Sequence, residues 1–398
     1  MKKIFPYSIN PPVRYLIYLC TSLLIFGLFF LTNFLQKQSL SYVEKNNLIF
    51  AKVYGETAPG KIYTSGLAPN SYWNHSLNPG QQVLPQAIIL NKDGQIIRTK
   101  EIENSAFIMN LLPYKNGFVF ARGLLNSEGA TGKRPEGEPW IITDKDFNEI
   151  DSITAIGPEN TDGHEFLELK NGNVMIISYA HNSDKDIISC VLQEINPKKE
   201  LVWEWDGSDY IARDEVYEEL LGSNTGDYIH CNSVFEMKNG NLIVSNRNTS
   251  NIVQIDKKTK EIVWRLGGRE SDFTFIDDPL SGFYAQHHAQ ILENGNILLY
   301  DNGNLHSPHQ TRVIEYSLDK NKKEATLVWS YSNPQKISRG TGSVQRLPNG
   351  HTFIGWGAGT AENETPLRIT ELDENNNVVL EVFFLFRQSL YRAYKIDD

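Results

Sequence analysis

The chain has 398 residues, of which 40% are hydrophobic and 22% charged, so it can bury a large core. Its formal net charge is −10 and its Lys and Arg residues are dispersed, which excludes the contiguous basic face that nucleic-acid binding requires. Runs rich in Val, Ile, Tyr, Phe and Trp favour β-strands over helices.

An uncharged apolar stretch of 21 residues runs from Tyr15 to Leu35. As a helix rising about 1.5 Å per residue it would span about 31 Å, the thickness of a bilayer core. Three basic residues precede it within residues 1–14, which predicts a single-pass membrane protein with a cytoplasmic N-terminus and the rest of the chain on the extracytoplasmic side. The alternative is a cleaved signal peptide, but no small-x-small cleavage site follows the stretch.

We assign residues 36–82 to a linker and candidate ring-closing segment, and residues 83–398 to a domain of repeats. The repeat is marked by Asn-Gly pairs between apolar runs, spaced by 55, 68, 55 and 55 residues: Asn116-Gly117, Asn171-Gly172, Asn239-Gly240, Asn294-Gly295 and Asn349-Gly350. Each pair predicts a two-residue type I′ turn between adjacent antiparallel strands, because both central residues of that turn need a positive φ.

A second hairpin accompanies each repeat, near residues 86–98, 139–153, 189–205, 251–266, 311–331 and 367–384. Four strands per repeat, with no helical periodicity between them, predict an all-β fold that we interpret as a six-bladed β-propeller. The sixth inner hairpin comes either from residues 45–66 or from the C-terminal tail. The longest repeat interval holds 13 extra residues around Arg213 to Leu220, which predicts a short helical insertion and a candidate lid over one face.

Three cysteines occur in the chain. Cys20 lies in the apolar stretch, whereas Cys190 and Cys231 occupy non-matching positions in different repeats. We therefore predict no structural disulfide.

Histidines open three of the predicted inner strands, at His164, His230 and His287. The innermost strand of each blade lines the central channel, so we expect these side chains to converge at one mouth. A single histidine at a strand start is more often a hydrogen-bonded structural residue, but convergence from three blades favours a site. Arg247 follows the hairpin of His230 and is the better candidate for anion binding, with Arg312 as the second.

Other histidines have weaker signals. His306 and His309 lie in a loop beside Pro308, and we expect both to be exposed.

Several motifs appear in order across residues 140–384: His164-Glu165-Phe166, His230-Cys231-Asn232-Ser233-Val234, Trp264 to Gly268, Gln286 to Ala289, Tyr300-Asp301-Asn302-Gly303 and Thr341 to Gln345. Together they resemble a divergent branch of the arylsulfotransferase (arylsulfate sulfotransferase) family. The resemblance implies a six-bladed propeller outside the cytoplasm that moves a sulfuryl group from an aryl sulfate donor to a phenol acceptor, with no cofactor and no nucleotide donor.

By motif, His230 and His287 correspond to active-site histidines of that family, and His164 is the third member in this branch. The resemblance assigns supporting, substrate-binding roles to Asn232 and Asp301. The fifth inner strand begins at Gly340 and lacks the additional pocket histidine of the better-known members.

The mechanism we expect is ping-pong transfer through a sulfohistidine, with His287 as nucleophile, His230 as acid and base, and Arg247 as the anion clamp. Two alternatives stay open. One is a non-enzymatic propeller that binds a ligand or partner at the cell surface. The other is a metal-dependent enzyme with His164, His230 and His287 as ligands, although the local carboxylate and spacing usual for a metal site are missing.

Overall fold

The computed structural model describes residues 48–66, 84–103, 105, 107–123, 139–157, 160–182, 187–221, 226–359, 365–385 and 390–397. These residues form sheets of four or five strands, arranged as six blades. Strand pairs within the blades are antiparallel, except that the outermost strand of blade 5 pairs in parallel. The strands of blades 1 to 3, from the channel outward, are β28 (Leu390–Ile396), β2 (Lys61–Gly66), β3 (Gln86–Leu90) and β4 (Ile96–Glu101); β5 (Phe107–Tyr114), β6 (Gly117–Gly123), β7 (Trp140–Thr143) and β8 (Glu149–Ile153); and β9 (Asn160–Glu168), β10 (Val174–Asn182), β11 (Ile187–Ile195) and β12 (Leu201–Asp206).

Blades 4 to 6 follow the same plan, and blades 5 and 6 each gain one outer strand. Their strands, from the channel outward, are β13 (Cys231–Glu236), β14 (Leu242–Asn246), β15 (Asn251–Ile255) and β16 (Ile262–Gly267); β18 (His287–Ile291), β19 (Ile297–Asp301), β20 (Arg312–Asp319), β21 (Glu324–Tyr331) and β17 (Thr274–Ile276); and β23 (Ser343–Arg346), β24 (Thr352–Gly355), β26 (Leu367–Leu372), β27 (Val378–Phe384) and β1 (Ile49–Val53). A separate two-stranded ladder joins β22 (Ser338–Gly340) to β25 (Ala358–Gly359).

The blades close into a ring, because the six innermost strands contact one another in the order β5, β9, β13, β18, β23, β28 and back to β5. The all-β six-bladed propeller predicted from the repeats is therefore confirmed. Closure uses both ends of the described chain: the C-terminal β28 pairs with the N-terminal β2, so the two candidate ring-closing segments form one blade together. Both β1 and β2 fall within residues 36–82.

The Asn-Gly hairpins join adjacent strands as expected, but the predicted turn type is wrong. In four of them only the glycine has a positive φ, near 82 to 88°, at Gly172, Gly240, Gly295 and Gly350. The glycine amide donates to the carbonyl three residues earlier, as Gly172 does to Leu169. This is the geometry of a longer loop in which a type I turn is followed by one left-handed residue, and glycine meets that single need.

Apolar side chains pack between neighbouring blades rather than in one central core. The cluster between blades 3 and 4, for example, contains Met175, Ile177, Leu192, Val244 and Val253, all almost fully buried. Burial on both faces of each sheet explains why its middle strands read as continuous apolar runs.

Between blades 3 and 4, three 3₁₀ helices form at Gly207–Asp209, Arg213–Glu215 and Glu218–Leu220. The predicted helical insertion is therefore present as 3₁₀ turns. Its role as a lid stays a prediction.

The prediction of no disulfide is wrong, since Cys190 and Cys231 are bonded, with their Cα atoms 5.9 Å apart. Cys190 lies in the third strand of blade 3, and Cys231 begins the innermost strand of blade 4. Two cysteines need not occupy matching repeat positions to meet, because neighbouring blades pack face to face with different strands opposed.

The predicted membrane anchor, residues 15–35, lies outside the described residues. Among the residues that are described, no helix has the length and apolarity needed to cross a bilayer.

Candidate functional site

Irregularities in the innermost strands turn polar side chains towards the channel. The ladder shifts register in β5, β9, β13, β18 and β28. A β-bulge of this kind re-aims a side chain, and bulges are common next to active sites. The residues at or within these shifts include Asn110, His164, Asn232, His288 and Arg392.

Two histidines meet at the end of the channel where the inner strands begin, which we call the histidine mouth. The ring centroids of His164 and His230 are 5.0 Å apart, with the rings nearly perpendicular. Each ring is paired through Nδ1 with an aspartate: His164 with Asp162, and His230 with Asp227 at 2.7 Å. A carboxylate at Nδ1 fixes the ring and its tautomer.

The backbone helps to hold these two Asp–His pairs in place. His230 has a positive φ of 54°, and its carbonyl accepts a hydrogen bond from the Arg247 amide at 2.9 Å. His164 is fixed by Asn110, whose amide group donates to the His164 carbonyl at 2.7 Å, and its ring also packs edge-on against Tyr391 at 5.5 Å. The His164 and His230 side chains keep 14% and 18% of their surface exposed, so a ligand at the mouth can touch both.

His287 lies at the same mouth but below the surface. Its Nδ1 is 2.6 Å from Oδ1 of Asn302, and its Nε2 accepts from the Thr341 amide at 3.1 Å, so both ring nitrogens are hydrogen-bonded. Burial, reinforced by the charge of Arg247, holds the pKa of His287 well below its usual value. His287 is thus a neutral imidazole that ties blade 5 to blade 6. His164, His230, His287 and Arg247 nevertheless lie close enough to interact electrostatically.

The Arg247 guanidinium reaches across the mouth and is held by backbone carbonyls. It donates to the carbonyl of Leu220 in the insertion and to that of Arg339 before blade 6, each at 3.1 Å. Arg339 itself is exposed, and its guanidinium has no partner among the described residues. Arg247 therefore carries positive charge at the histidine mouth, and the Arg339 carbonyl helps to hold it there.

Asp301 and Arg312 belong to a buried ionic network within blade 5. Arg312 donates to both oxygens of Asp278, at 2.7 and 3.0 Å, and to Asp301 at 2.9 Å. Burial opposes ionisation of Asp278, but hydrogen bonds from Arg312 and Tyr316 outweigh it and lower the pKa of that carboxyl to about 2. Both side chains are almost fully buried, and their hydrogen bonds go to residues in and around blade 5. Their predicted role in substrate binding stays a prediction.

Asn232 and two loop histidines are also structural in position. Asn232 is fully buried and donates to the Gln286 carbonyl at 2.7 Å, which links blades 4 and 5. The expectation that His306 and His309 are exposed is wrong: His306 is buried against Asp301 at 3.1 Å, and His309 donates to the Asn302 carbonyl at 2.8 Å. The loop folds back onto blade 5 because Asp301 supplies an acceptor there.

The last strand, β28, supplies channel residues that the sequence reasoning missed. Arg392 is fully buried, donates to Glu165 at 3.0 Å and to the Tyr394 hydroxyl at 2.7 Å, and also bonds the Asn232 carbonyl. It thereby connects blade 1 with blades 3 and 4 across the axis. The available signal was an arginine flanked by aromatic and apolar residues in the segment Leu390–Ile396. The aspartates of the two Asp–His pairs carried a signal too, at two and three residues before their histidines.

Among the residues that are described, no group of three or more His, Cys, Asp and Glu side chains has an arrangement that could hold a metal ion. His287 uses both ring nitrogens within the protein, so a site made of His164, His230 and His287 would need those bonds to break.

Comparison with solved structures supports the fold. A protein of unknown function from Bacteroides caccae aligns with a TM-score of 0.52 and 16% identity over 86% of this chain and all of its own. Virginiamycin B lyase from Staphylococcus aureus (TM-score 0.42, 10% identity, 83% of this chain and 87% of its own) and a luciferin-regenerating enzyme (0.45, 13%, 88% and 100%) are more distant and carry no argument.

No curated protein matches the sequence. The sequence profile of the arylsulfotransferase (ASST) family, however, matches residues 142–392, which is more than half of the chain and includes both Asp–His pairs, His287 and Arg247. With a propeller that closes around a channel and two Asp–His pairs at its mouth, the chain belongs to the arylsulfotransferase family.

Proposed function

We propose that the protein is an aryl sulfotransferase that moves a sulfuryl group from an aryl sulfate to a phenol at the histidine mouth. The observation that carries this proposal is the pair of imidazoles with centroids 5.0 Å apart, each backed by an aspartate. Transfer between two phenolic oxygens needs a nucleophile and a group that donates and later accepts a proton. Two adjacent histidines, each held through Nδ1 by an aspartate, can meet both needs.

We assign the nucleophile to His164. Nε2 of His164 has no hydrogen-bond partner among the described residues, whereas Nε2 of His287 accepts a bond from the Thr341 amide. Nε2 of His164 attacks sulfur, the bond from sulfur to the aryl oxygen breaks, and protonated His230 gives its proton to the departing phenolate. The incoming phenol then gives its proton to His230 and takes the sulfuryl group from His164, which restores both rings.

The positive charge of Arg247 supports this chemistry, because the sulfuryl oxygens carry negative charge throughout. Two backbone carbonyls, of Leu220 and Arg339, already hold the Arg247 guanidinium in place. Little free energy is therefore needed to reorient it when a substrate binds. His287 acts as a positioning residue through Asn302 and Thr341. Family membership implies small-molecule aryl substrates.

The test uses the full-length protein purified in detergent, with p-nitrophenyl sulfate as donor and phenol as acceptor. We expect nitrophenol release with ping-pong kinetics, and a loss in kcat of at least about 100-fold in both His164→Asn and His230→Asn. His351→Asn is the matched control, since His351 pairs with Glu371 in blade 6 and not with the Asp–His pairs. A radioactive sulfate label on the protein should depend on His164.

Absence of turnover in the wild type with a range of aryl sulfates would leave the alternative of a non-enzymatic binding propeller. Turnover that survives in His164→Asn and disappears in His287→Asn, with the fold intact, would return the nucleophile role to His287.

We also propose that the propeller resides on the extracytoplasmic side, held by a membrane helix at residues 15–35. The Cys190–Cys231 disulfide supports this location, because structural disulfides persist in oxidising compartments. Protease treatment of intact cells that express a C-terminally tagged chain should remove the tag. A tag that is cleaved only after the cells are lysed would contradict the proposal.

A further inference from the structure

A second cavity lies at the opposite end of the inner strands from the histidine mouth, and we call it the far cavity. It has a volume of about 260 Å³ and is bounded by inner-strand residues of blades 2 to 5 and by β28. Its lining includes Phe166, Phe235, Tyr114, Tyr394, Glu168 and His288. An apolar cavity of about 150 Å³ is large enough to hold a benzene ring. The far cavity can therefore hold a single substituted ring.

His288 presents a hydrogen-bond acceptor to this cavity. Its Nδ1 is 2.8 Å from the Val344 carbonyl oxygen and 3.3 Å from the Val344 amide nitrogen. The shorter contact decides the tautomer, because two lone pairs 2.8 Å apart would repel, so Nδ1 carries the proton and donates to the carbonyl. Burial, with the charge of Arg392, lowers the pKa of His288 to about 3, so the ring is neutral at physiological pH. Nε2 then bears a lone pair, and it has no hydrogen-bond partner among the described residues.

The surrounding groups favour a neutral aromatic ligand over an anion. Two carboxylates line the cavity; Glu165 is paired with Arg392, but Glu168 has no cationic partner among the described residues. The His288 ring is fixed edge-on against Tyr394, with centroids 5.6 Å apart, so Nε2 is already oriented. The cavity therefore offers one oriented hydrogen-bond acceptor, Nε2 of His288, surrounded by aromatic side chains. Such a site favours an aromatic ligand that carries one hydrogen-bond donor.

We propose that the far cavity binds a small neutral phenol, whose hydroxyl donates a hydrogen bond to Nε2 of His288. The site is separate from the histidine mouth, because the Glu165–Arg392 pair and its bond to the Asn232 carbonyl cross the channel between them. A sulfate ester, by contrast, would add a negative charge beside the Glu168 carboxylate, which disfavours its binding. The two ends of the channel thus differ in the charge of the aryl compound that they accept.

The test compares two probes, 4-methylphenol and 4-methylanisole, which differ in the hydroxyl proton. Binding is measured by ligand-observed NMR titration of the full-length His164→Asn/His230→Asn protein, so that the Asp–His pairs do not contribute. We expect 4-methylphenol to bind about fivefold more tightly, the worth of one neutral hydrogen bond. In the added His288→Phe variant, which keeps an aromatic ring against Tyr394, that fivefold preference should vanish.

The matched control is His351→Phe, which should retain the preference because His351 lies outside the cavity. Leu112→Trp, which fills the cavity from blade 2, should weaken both probes equally. A preference that persists in His288→Phe, or the absence of binding by either probe, would overturn the proposal. Nitrophenol release by the wild type is measured separately, so failure here does not bear on sulfuryl transfer.

Discussion

The Cys190–Cys231 disulfide gives the sharpest prediction about stability. It closes a loop with a sequence separation of 41 between the innermost strand of blade 4 and the third strand of blade 3. The chain-entropy relation for a loop of this size gives about 4 kcal/mol of stabilisation at 25 °C. For a propeller of about 350 residues, with an unfolding entropy of about 2.1 cal/mol/K per residue, this corresponds to about 5 °C in Tm.

The double variant Cys190→Ala/Cys231→Ala is therefore expected to unfold about 5 °C earlier than the wild type in calorimetry without reductant. It should also lose activity, because Cys231 follows His230 directly and the disulfide joins the two blades that carry the paired histidines. Cys20→Ser serves as the background for thiol counting. In denaturant it should show no free thiols before reduction and two afterwards. Two free thiols before reduction, or an unchanged Tm in the double variant, would refute the reasoning.

Two further predictions concern buried charges. Because the pKa of Asp278 is lowered to about 2, its ionic network contributes stability that is fully present above pH 4 and lost as the pH falls towards 2. A pKa lowered by nearly two units corresponds to about 2 kcal/mol of stability. The difference in the free energy of unfolding between the wild type and Asp278→Asn, measured in urea, should therefore shrink by about that amount from pH 5 to pH 2. A difference that stays constant over this range would contradict the prediction. Arg392→Met should cost about 3–5 kcal/mol because it leaves Glu165 buried without its cation, and adding Glu165→Gln should recover part of the loss. Equal losses in the single and double variants would show that Arg392 stabilises the channel through packing alone.

The histidine cluster was predictable, whereas the roles of its members were not. Repetition of the blades placed His164, His230 and His287 at the starts of inner strands, and ring closure brings such starts together. Whether a ring nitrogen is exposed or bonded depends on neighbours distant in sequence. Nε2 of His287 accepts a hydrogen bond from the Thr341 amide, which lies 54 residues further along the chain. No local sequence pattern predicts that contact.

The arginines show the same limit. Arg247 and Arg312 look alike in sequence, as single cations at strand ends. In the structure Arg247 is held by carbonyls across the mouth, while Arg312 is enclosed by two aspartates and cannot meet an anion without breaking that pairing. Burial and the position of Asp278 decide the difference, and both arise from packing.

By itself the sequence determined the architecture. Turn residues at a regular spacing, with apolar strands between them, define one four-stranded unit that recurs along the chain. A closed ring lets each such unit bury both faces of its sheet against its two neighbours. Only the tertiary structure decided which cysteines bond, which histidines keep an open nitrogen and which strand completes the first blade. These depend on contacts between blades, where the opposed residues come from different strands and distant positions, so repeat equivalence does not predict them.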